Sequence, residues 1–248
     1  MKNLKFKKVY LFIAAMCTFM LHLPFAFSTG KKVAYKPIVP APLSTKNNAF
    51  AFADKMYDSL KLNLCGLSIQ AFEYAYKGYD FLKLKGKIAN DNILSIVDFS
   101  KPSNQKRLFV IDVKNYKVLF NTYVAHGQGS GEAMATNFSN RPESLQSSLG
   151  FYTTADTYMG RNGFSLHLQG IEYGINDKAY QRSIVMHGAP YVSENYIFSK
   201  GYLGRSWGCP AVPEKLNKPI IETIKNGSCL FIYSENNRYL QQSAIINS

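Results

Sequence analysis

The chain has 248 residues, is 46% apolar, and carries 29 basic against 16 acidic side chains, a formal charge of +13. That length allows one large domain or two small ones, and a composition with 17 Tyr and 17 Phe excludes a largely disordered chain. The positive excess points either to an acidic partner or to a merely solubilising surface, and charge alone does not choose between them.

Taken in chain order, the first element is a processing signal. Lys2, Lys5, Lys7 and Lys8 precede the apolar run VYLFIAAMCTFMLHLPFAF, and Ala26-Phe27-Ser28 supplies small residues where a signal peptidase cuts. A cleaved signal peptide over residues 1–28 is expected, with the protein exported to the periplasm or cell wall; an uncleaved membrane anchor is the alternative, because the run is long. Residues 1–28 hold four lysines and no acids, so the remainder carries +9. Outside the cytoplasm an anionic cell envelope is a better partner for that charge than nucleic acid. Removing Cys17 leaves Cys65, Cys209 and Cys229. An odd number in an oxidising compartment leaves a thiol free or pairing between chains. Spacing does not decide whether Cys65 and Cys229 bridge, and nothing in the sequence sets an oligomeric state.

Residues 29–48, with Pro37, Pro40 and Pro42, read as a linker. A helical region, 49–88, follows. Phe52, Met56 and Leu60 recur at four-residue spacing; after Gly66, Ser68 is a candidate N-cap, with Ile69, Phe72, Tyr76 and Tyr79 on one face of a second helix. From 89 to 235 the texture turns to strands: ILSIVDF, RLFVIDV, KVLFNTYV, SIVMH and SCLFIY, with a hairpin turn at Lys114-Asn115-Tyr116. NKPIIETIKNG reads as one short helix, with Asn217 as cap, Pro219 in its first turn and Gly227 just past its end. Residues 236–248 read as a C-terminal tail. The whole predicts a mainly β fold with an N-terminal helical region and a short helix after the second catalytic candidate.

Those candidates are His187 and Cys209. A strand-like run ends at His187-Gly188, and a polar loop returns at Ser206-Trp207-Gly208-Cys209. A thiol that titrates near ~8.5 needs a base to attack at neutral pH, and a histidine can take that proton and return it to a leaving group. Glycine beside the nucleophile permits close backbone approach, and backbone N–H groups there can stabilise an oxyanion. A structural thiol and a packed histidine are the plain alternative. His126, in HGQGSG, reads as a second cleft wall, since no Lys-Ser/Thr follows as in a phosphate loop. His167 alternates with apolar neighbours and reads as packing. No histidine pair has metal-ligand spacing, so no metal or cofactor is expected.

His187-Gly188 followed by Ser206-Trp207-Gly208-Cys209 resembles the signature of the L,D-transpeptidase catalytic domain (YkuD-like). DFSKPS, RLFVID, VAHGQGSG, SSLGFY, GINDKAYQRSIVMHGAPYVS and GRSWGCPAV extend the resemblance to its murein branch over roughly residues 90 to 233. The resemblance implies a β-sandwich-like fold and attack on the L,D bond of peptidoglycan stem peptides. Cys209 would be nucleophile and His187 general base. Gly208 and Cys209 would offer oxyanion N–H groups, and Ser206 would shape the loop, with His126, Gly188, Arg205 and Trp207 as substrate contacts. It further implies that a backbone oxygen orients His187. Hydrolysis of the same acyl-enzyme would make the protein an L,D-carboxypeptidase, and a non-catalytic wall binder is the third reading. The commoner family pattern continues with an apolar residue and an arginine after the cysteine. Here Pro210-Ala211 follow, and Arg205 is the expected substitute for the missing charge.

Overall fold

The computed structural model describes residues 46–248, with side chains from Phe52 onward. The expected signal segment, Cys17 and nearly all of the 29–48 linker lie outside the described residues.

Helix α1 spans Lys46–Ser59 and α2 spans Ile69–Leu84. Ser68 caps α2, its side chain accepting the Ala71 N–H. The face that α2 buries is Ala71, Phe72, Ala75, Gly78, Tyr79 and Leu82, set against the sheet at β1 (Asn90–Asp98) and β8 (Ser228–Tyr233). On α1 the buried side is Ala53, Met56 and Tyr57, while Phe52, expected inside with Met56, is exposed and stacks on the ring of Tyr76.

Eight strands form one sheet in the order β3-β2-β1-β8-β4-β5-β6-β7. The others are β2 (Leu108–Asp112), β3 (Lys117–Thr122), β4 (Gly150–Gly160), β5 (Gly163–Gly170), β6 (Val185–Ala189) and β7 (Ala211–Pro213). β1 pairs with β8, and β6 with β7, in parallel; the remaining neighbours are antiparallel. The expected hairpin joins β2 to β3 through residues 113–116, with Tyr116 at φ 52°. β8 is buried along its whole length, as a central strand covered on both faces must be. The sheet curls until its edges meet: just past β3, Ala125 N–H donates to Ala211 O in β7 at 2.8 Å. The fold is thus mainly β, with the two sheet edges brought together beside the residues of the His-Gly and Ser-x-Gly-Cys motifs.

Three elements differ from expectation. The helix after the cysteine, α4 (Glu214–Ile224), starts four residues early with Pro213 in place of Asn217 as its cap, so Pro219 lies inside it. Asn217 is no cap: it is buried and donates to Phe164 O at 2.6 Å, tying the helix to β5. A helix over Glu194–Lys200, α3, stands in the loop between the two motifs, capped by Ser193 and closed by Gly201 at φ 83°. Residues 236–248 are no loose tail. They form α5 (Asn237–Gln242) and dock on a buried carboxylate, Glu172, which accepts from Tyr239 Oη at 3.1 Å and from Ser243 Oγ. Burial pushes that carboxyl above its ordinary value, and the hydroxyls and the Phe151 N–H pull the other way.

Close approach between α2 and the sheet depends on one missing side chain. A Cβ on Gly78 would stand 2.0 Å from Phe151 Cζ, and that ring is fully buried and stacked on Phe231 at 4.1 Å. Gly78→Ala should therefore destabilise the protein by ~1–3 kcal/mol through overpacking, outweighing the ~1 kcal/mol gained in helix propensity. Thermal melting checks this; a raised Tm would contradict the packing described.

Candidate active site

Sheet closure builds the site. The Ala125–Ala211 bridge continues as Gly127 beside Ser206, with Gln128 N–H donating to Ser206 O at 2.8 Å and Ser206 N–H to His126 O at 3.0 Å. The 206–209 turn is then closed by one hydroxyl. Ser206 Oγ accepts the Gly208 N–H at 3.1 Å and donates to Cys209 O at 2.6 Å. Gly208 has φ +123°, a conformation that side chains rarely adopt. Its Cβ would stand 2.8 Å from Gln146 O, so the turn lies directly on the backbone of the 144–148 segment. Ser147 Oγ completes this contact, donating to Gly208 O at 3.0 Å and accepting the Gly127 N–H at 3.1 Å.

Cys209 and His187 line one cleft of about 800 Å³, together with Gly188, Tyr191, Arg182, Arg205, Ser206 and Trp207. Cys209 Sγ accepts the Val185 N–H at 3.5 Å and donates to Ser183 O at 3.7 Å. Ser183 sits at φ 54°, a left-handed turn at a non-glycine residue just before β6. Val185 and His187 are two apart on β6, so their side chains share a face with Cα atoms about 6.6 Å apart. The thiol meets the β6 backbone two residues from His187, and both groups line the same cleft, without a hydrogen bond between them among the described residues.

The His187 ring is oriented by a backbone oxygen, Gly188 O, 3.0 Å from Nδ1. A carbonyl only accepts, so Nδ1 carries the hydrogen and Nε2 presents a lone pair. Burial lowers the His187 pKa, offset in part by the Gly188 bond, and keeps the ring neutral. Burial raises the Cys209 thiol above its ordinary value, while the Val185 N–H and then Arg182 pull it down. At rest the pair is neutral thiol and neutral imidazole.

The other sequence candidates divide. Trp207 stands 71% exposed at the cleft. Arg205 lines the cleft, directs Nη1 to Gly131 O at 3.2 Å and lies over the Tyr202 ring. Gly188 lines the cleft with its carbonyl already on His187. The Gly208 N–H, expected in an oxyanion hole, is taken by Ser206, which leaves the Cys209 N–H, unpaired within the described residues. His126 is not a cleft wall. It is fully buried, Nδ1 accepting from Arg107 Nη2 at 2.8 Å and Nε2 donating to Gly131 O at 3.3 Å. Burial and the Arg107 charge push its pKa down to about 3. The glycines around it serve packing: a Cβ on Gly127 or Gly129 would meet Leu145 O at 2.4 Å or Ser144 O at 2.5 Å. Cys65, Cys209 and Cys229 are all free thiols, so the open Cys65–Cys229 pairing is absent. His167 lies between the rings of Tyr158 and Tyr180 and meets Asp156 Oδ2 at 3.2 Å.

Sequence reasoning missed Ser147, Ser183, Tyr191 and Arg182. Arg182 was within reach, being a basic residue five positions before His187 in an otherwise strand-like run. Ser147 carries no local signal, because its partners are Gly127 and Gly208.

Gly208→Ala tests the geometry of the turn. With φ +123° and backbone oxygen in the way, the variant should lose ~1–3 kcal/mol of stability and most alkylation of Cys209 by iodoacetamide. Wild-type melting and alkylation in this variant would refute the close contact with Gln146.

A family model described as the L,D-transpeptidase catalytic domain matches residues 64–233. Among curated proteins, no match is found. Solved structures that resemble the chain include an L,D-transpeptidase from Mycobacterium smegmatis, at 13% identity and TM-score 0.36, covering 58% of this chain and 59% of that one. Another is the helical cell shape determining protein Pgp2 (K307A mutant) from Campylobacter jejuni, at 14% identity and TM-score 0.40, covering 70% and 62%. A third is L,D-transpeptidase 3 from Mycobacterium tuberculosis, at 11% identity and TM-score 0.35, covering 58% and 61%. The chain therefore spans about three fifths of the length of these solved chains. The family match takes in every element that builds the cleft, from α2 through β8, and the chain belongs to the L,D-transpeptidase catalytic domain family.

Proposed function

We propose that the protein is an exported cysteine L,D-transpeptidase acting on peptidoglycan stem peptides, with Cys209 as nucleophile and His187 as general base. The observation that carries this reading is the pairing on one cleft of a thiol seated at β6 with an imidazole whose Nδ1 is held by Gly188 O, leaving Nε2 basic.

The reaction starts as the thiol turns from Ser183 O toward His187 and passes its proton to Nε2. The thiolate attacks the carbonyl carbon of the L,D bond in a donor tetrapeptide. The oxyanion forms beside the Cys209 N–H, on a turn that Ser206 keeps closed. The carbon–nitrogen bond breaks, the departing D-alanine amine takes the proton from His187, and a thioester remains on Cys209. An acceptor amine then attacks the thioester carbon, gives a proton to His187, and releases the cross-linked product as the thiol reforms. Water in place of the amine gives L,D-carboxypeptidase products from the same intermediate.

Incubation with purified peptidoglycan and mass analysis of the products tests the assignment. Cys209→Ala should abolish turnover and melt close to wild type, since one small side chain is lost. His187→Ala should lower turnover ~10²–10⁴-fold, the usual worth of positioned proton transfer. Full turnover in Cys209→Ala would end the proposal.

Export is part of the same reading. The basic start, the apolar run and the small residues at Ala26 and Ser28 support cleavage after Ser28 and action at an anionic cell envelope. N-terminal sequencing of protein recovered outside the cytoplasm should begin at Thr29; Met1 retained on cytoplasmic protein would contradict this.

A further inference from the structure

Arg182 is a partly buried cation with no carboxylate beside it. Nη1 donates to Ser139 O at 2.7 Å and Ser148 Oγ at 2.6 Å; Nη2 donates to Gln146 O at 2.7 Å and Ser144 Oγ at 3.2 Å. All four acceptors are neutral, and no acidic side chain forms an ion pair with it among the described residues. Taking a guanidinium out of water without a counter-charge is costly. Bracing the 139–148 segment does not by itself call for a charge, because neutral donors can hold hydroxyls and carbonyls.

The position of this charge gives it a use. Arg182 lines the cleft, and Nη2 lies 3.4 Å from where a Cβ on Gly208 would stand, against the backbone of the Cys209 turn. Two titratable groups feel it, Tyr152 and Cys209. The Tyr152 phenol is fully buried, donates to Ser148 O at 2.9 Å and is held protonated by that burial. Cys209 is the group at which negative charge can develop.

Resting on the reading of Cys209 as nucleophile, we propose that Arg182 is the positioning residue of the reaction. It fixes the 144–148 segment against Gly208 and supplies the unpaired positive charge that favours the Cys209 thiolate as the thiol proton passes to His187. In that step the S–H bond breaks and an N–H bond forms at Nε2, so imidazolium and thiolate appear together beside the guanidinium. The other groups that face the thiol do not duplicate the role. His187 on β6 gains the proton. Tyr191, just past β6, is pushed up to about 12, by burial and then by Cys209, and stays a neutral phenol. Arg205, directed to Gly131 O, and Arg161 line the same cleft, as does Glu214 at the start of α4 with the opposite charge, but Arg182 is the cation that lies against the Gly208–Cys209 backbone. Arg182 thus adds, from the segment before β6, a second positive charge to the one expected of Arg205.

The test is the rate of iodoacetamide alkylation at Cys209 across a pH series, mapped by peptide mass spectrometry, with stem-peptide turnover and melting in parallel. Alkylation of the wild type should rise with pH and level off once the thiol is fully ionised. In Arg182→Gln and Arg182→Met, two neutral replacements of different shape, that rise should move up by about one pH unit, leaving alkylation ~10-fold slower at any pH below it. Arg182→Lys keeps the charge but cannot span four acceptors. It should keep the wild-type rise and lower kcat more than KM. A rise at the wild-type pH in either neutral variant that folds overturns the role given to Arg182. If neither folds, Arg182→Lys decides: a kept rise with lowered kcat supports the role, and a raised one overturns it. A wild-type Cys209 that resists alkylation at every pH would instead sink the nucleophile reading itself.

Discussion

Backbone lies on backbone where the site is built, and the rest of the cleft depends on that contact. Gly127, Gly129 and Gly208 each present bare Cα to the 144–146 segment, at distances where any Cβ would meet a carbonyl oxygen. The sheet supplies the force that brings these segments together: its edges close through Ala125 and Ala211, and the two motif loops are carried in behind that bridge. Hydroxyls then satisfy the backbone groups that the contact buries. Ser147 holds Gly127 and Gly208 at once, and Ser206 closes the turn that carries Cys209. Buried polar groups without partners would cost ~1–3 kcal/mol each, so these small side chains matter as much as the apolar core.

The chemistry follows from burial as much as from residue identity. Taking the thiol out of water opposes its ionisation, and taking the imidazole out of water opposes its protonation. A resting ion pair is therefore disfavoured, and the proton moves only when something stabilises the charges that result. The groups placed to do so are the Val185 N–H on the sulfur, the Gly188 carbonyl on the imidazole, and the charge of Arg182. The cleft also keeps Trp207 open to solvent next to the buried Gly208, so one turn presents an aromatic surface and a thiol to the same cleft.

What could be read in the sequence was what local pattern controls. Ser68 caps its helix because a hydroxyl before an apolar periodic run meets a free N–H within three residues. While β6 was expected over 183–187 and runs Val185–Ala189, the β2–β3 hairpin and the ends of β8 were likewise legible from branched runs and turn residues. The same holds for His187-Gly188 and Ser206 to Cys209, where residue types stand at fixed offsets. Misreadings came where partners are distant. Pro219 looked like a first-turn proline because the true cap, Pro213, is the last residue of β7 and has no polar side chain to mark it. Residues 236–248 looked like a tail because what anchors them, Glu172, lies 67 and 71 residues from the hydroxyls it binds. The glycine-rich run at His126 looked like a second cleft wall, although its glycines make room for the 144–146 carbonyls. Arg182 was visible as a basic residue before the His187 strand, but its role was not, because its four acceptors lie 34 to 43 residues away.

The central claim is covalent, that a stem peptide passes through a thioester on the sulfur seated at Val185. The most direct measurement is intact-protein mass spectrometry after rapid acid quench of enzyme mixed with a purified tetrapeptide donor, followed by peptide mapping. The account predicts a transient gain equal to the donor less its terminal D-alanine, carried by the peptide containing Cys209 and absent from those containing Cys65 and Cys229. Turnover of the donor with no adduct at any time point, or an adduct on either of the other two thiols, would contradict it.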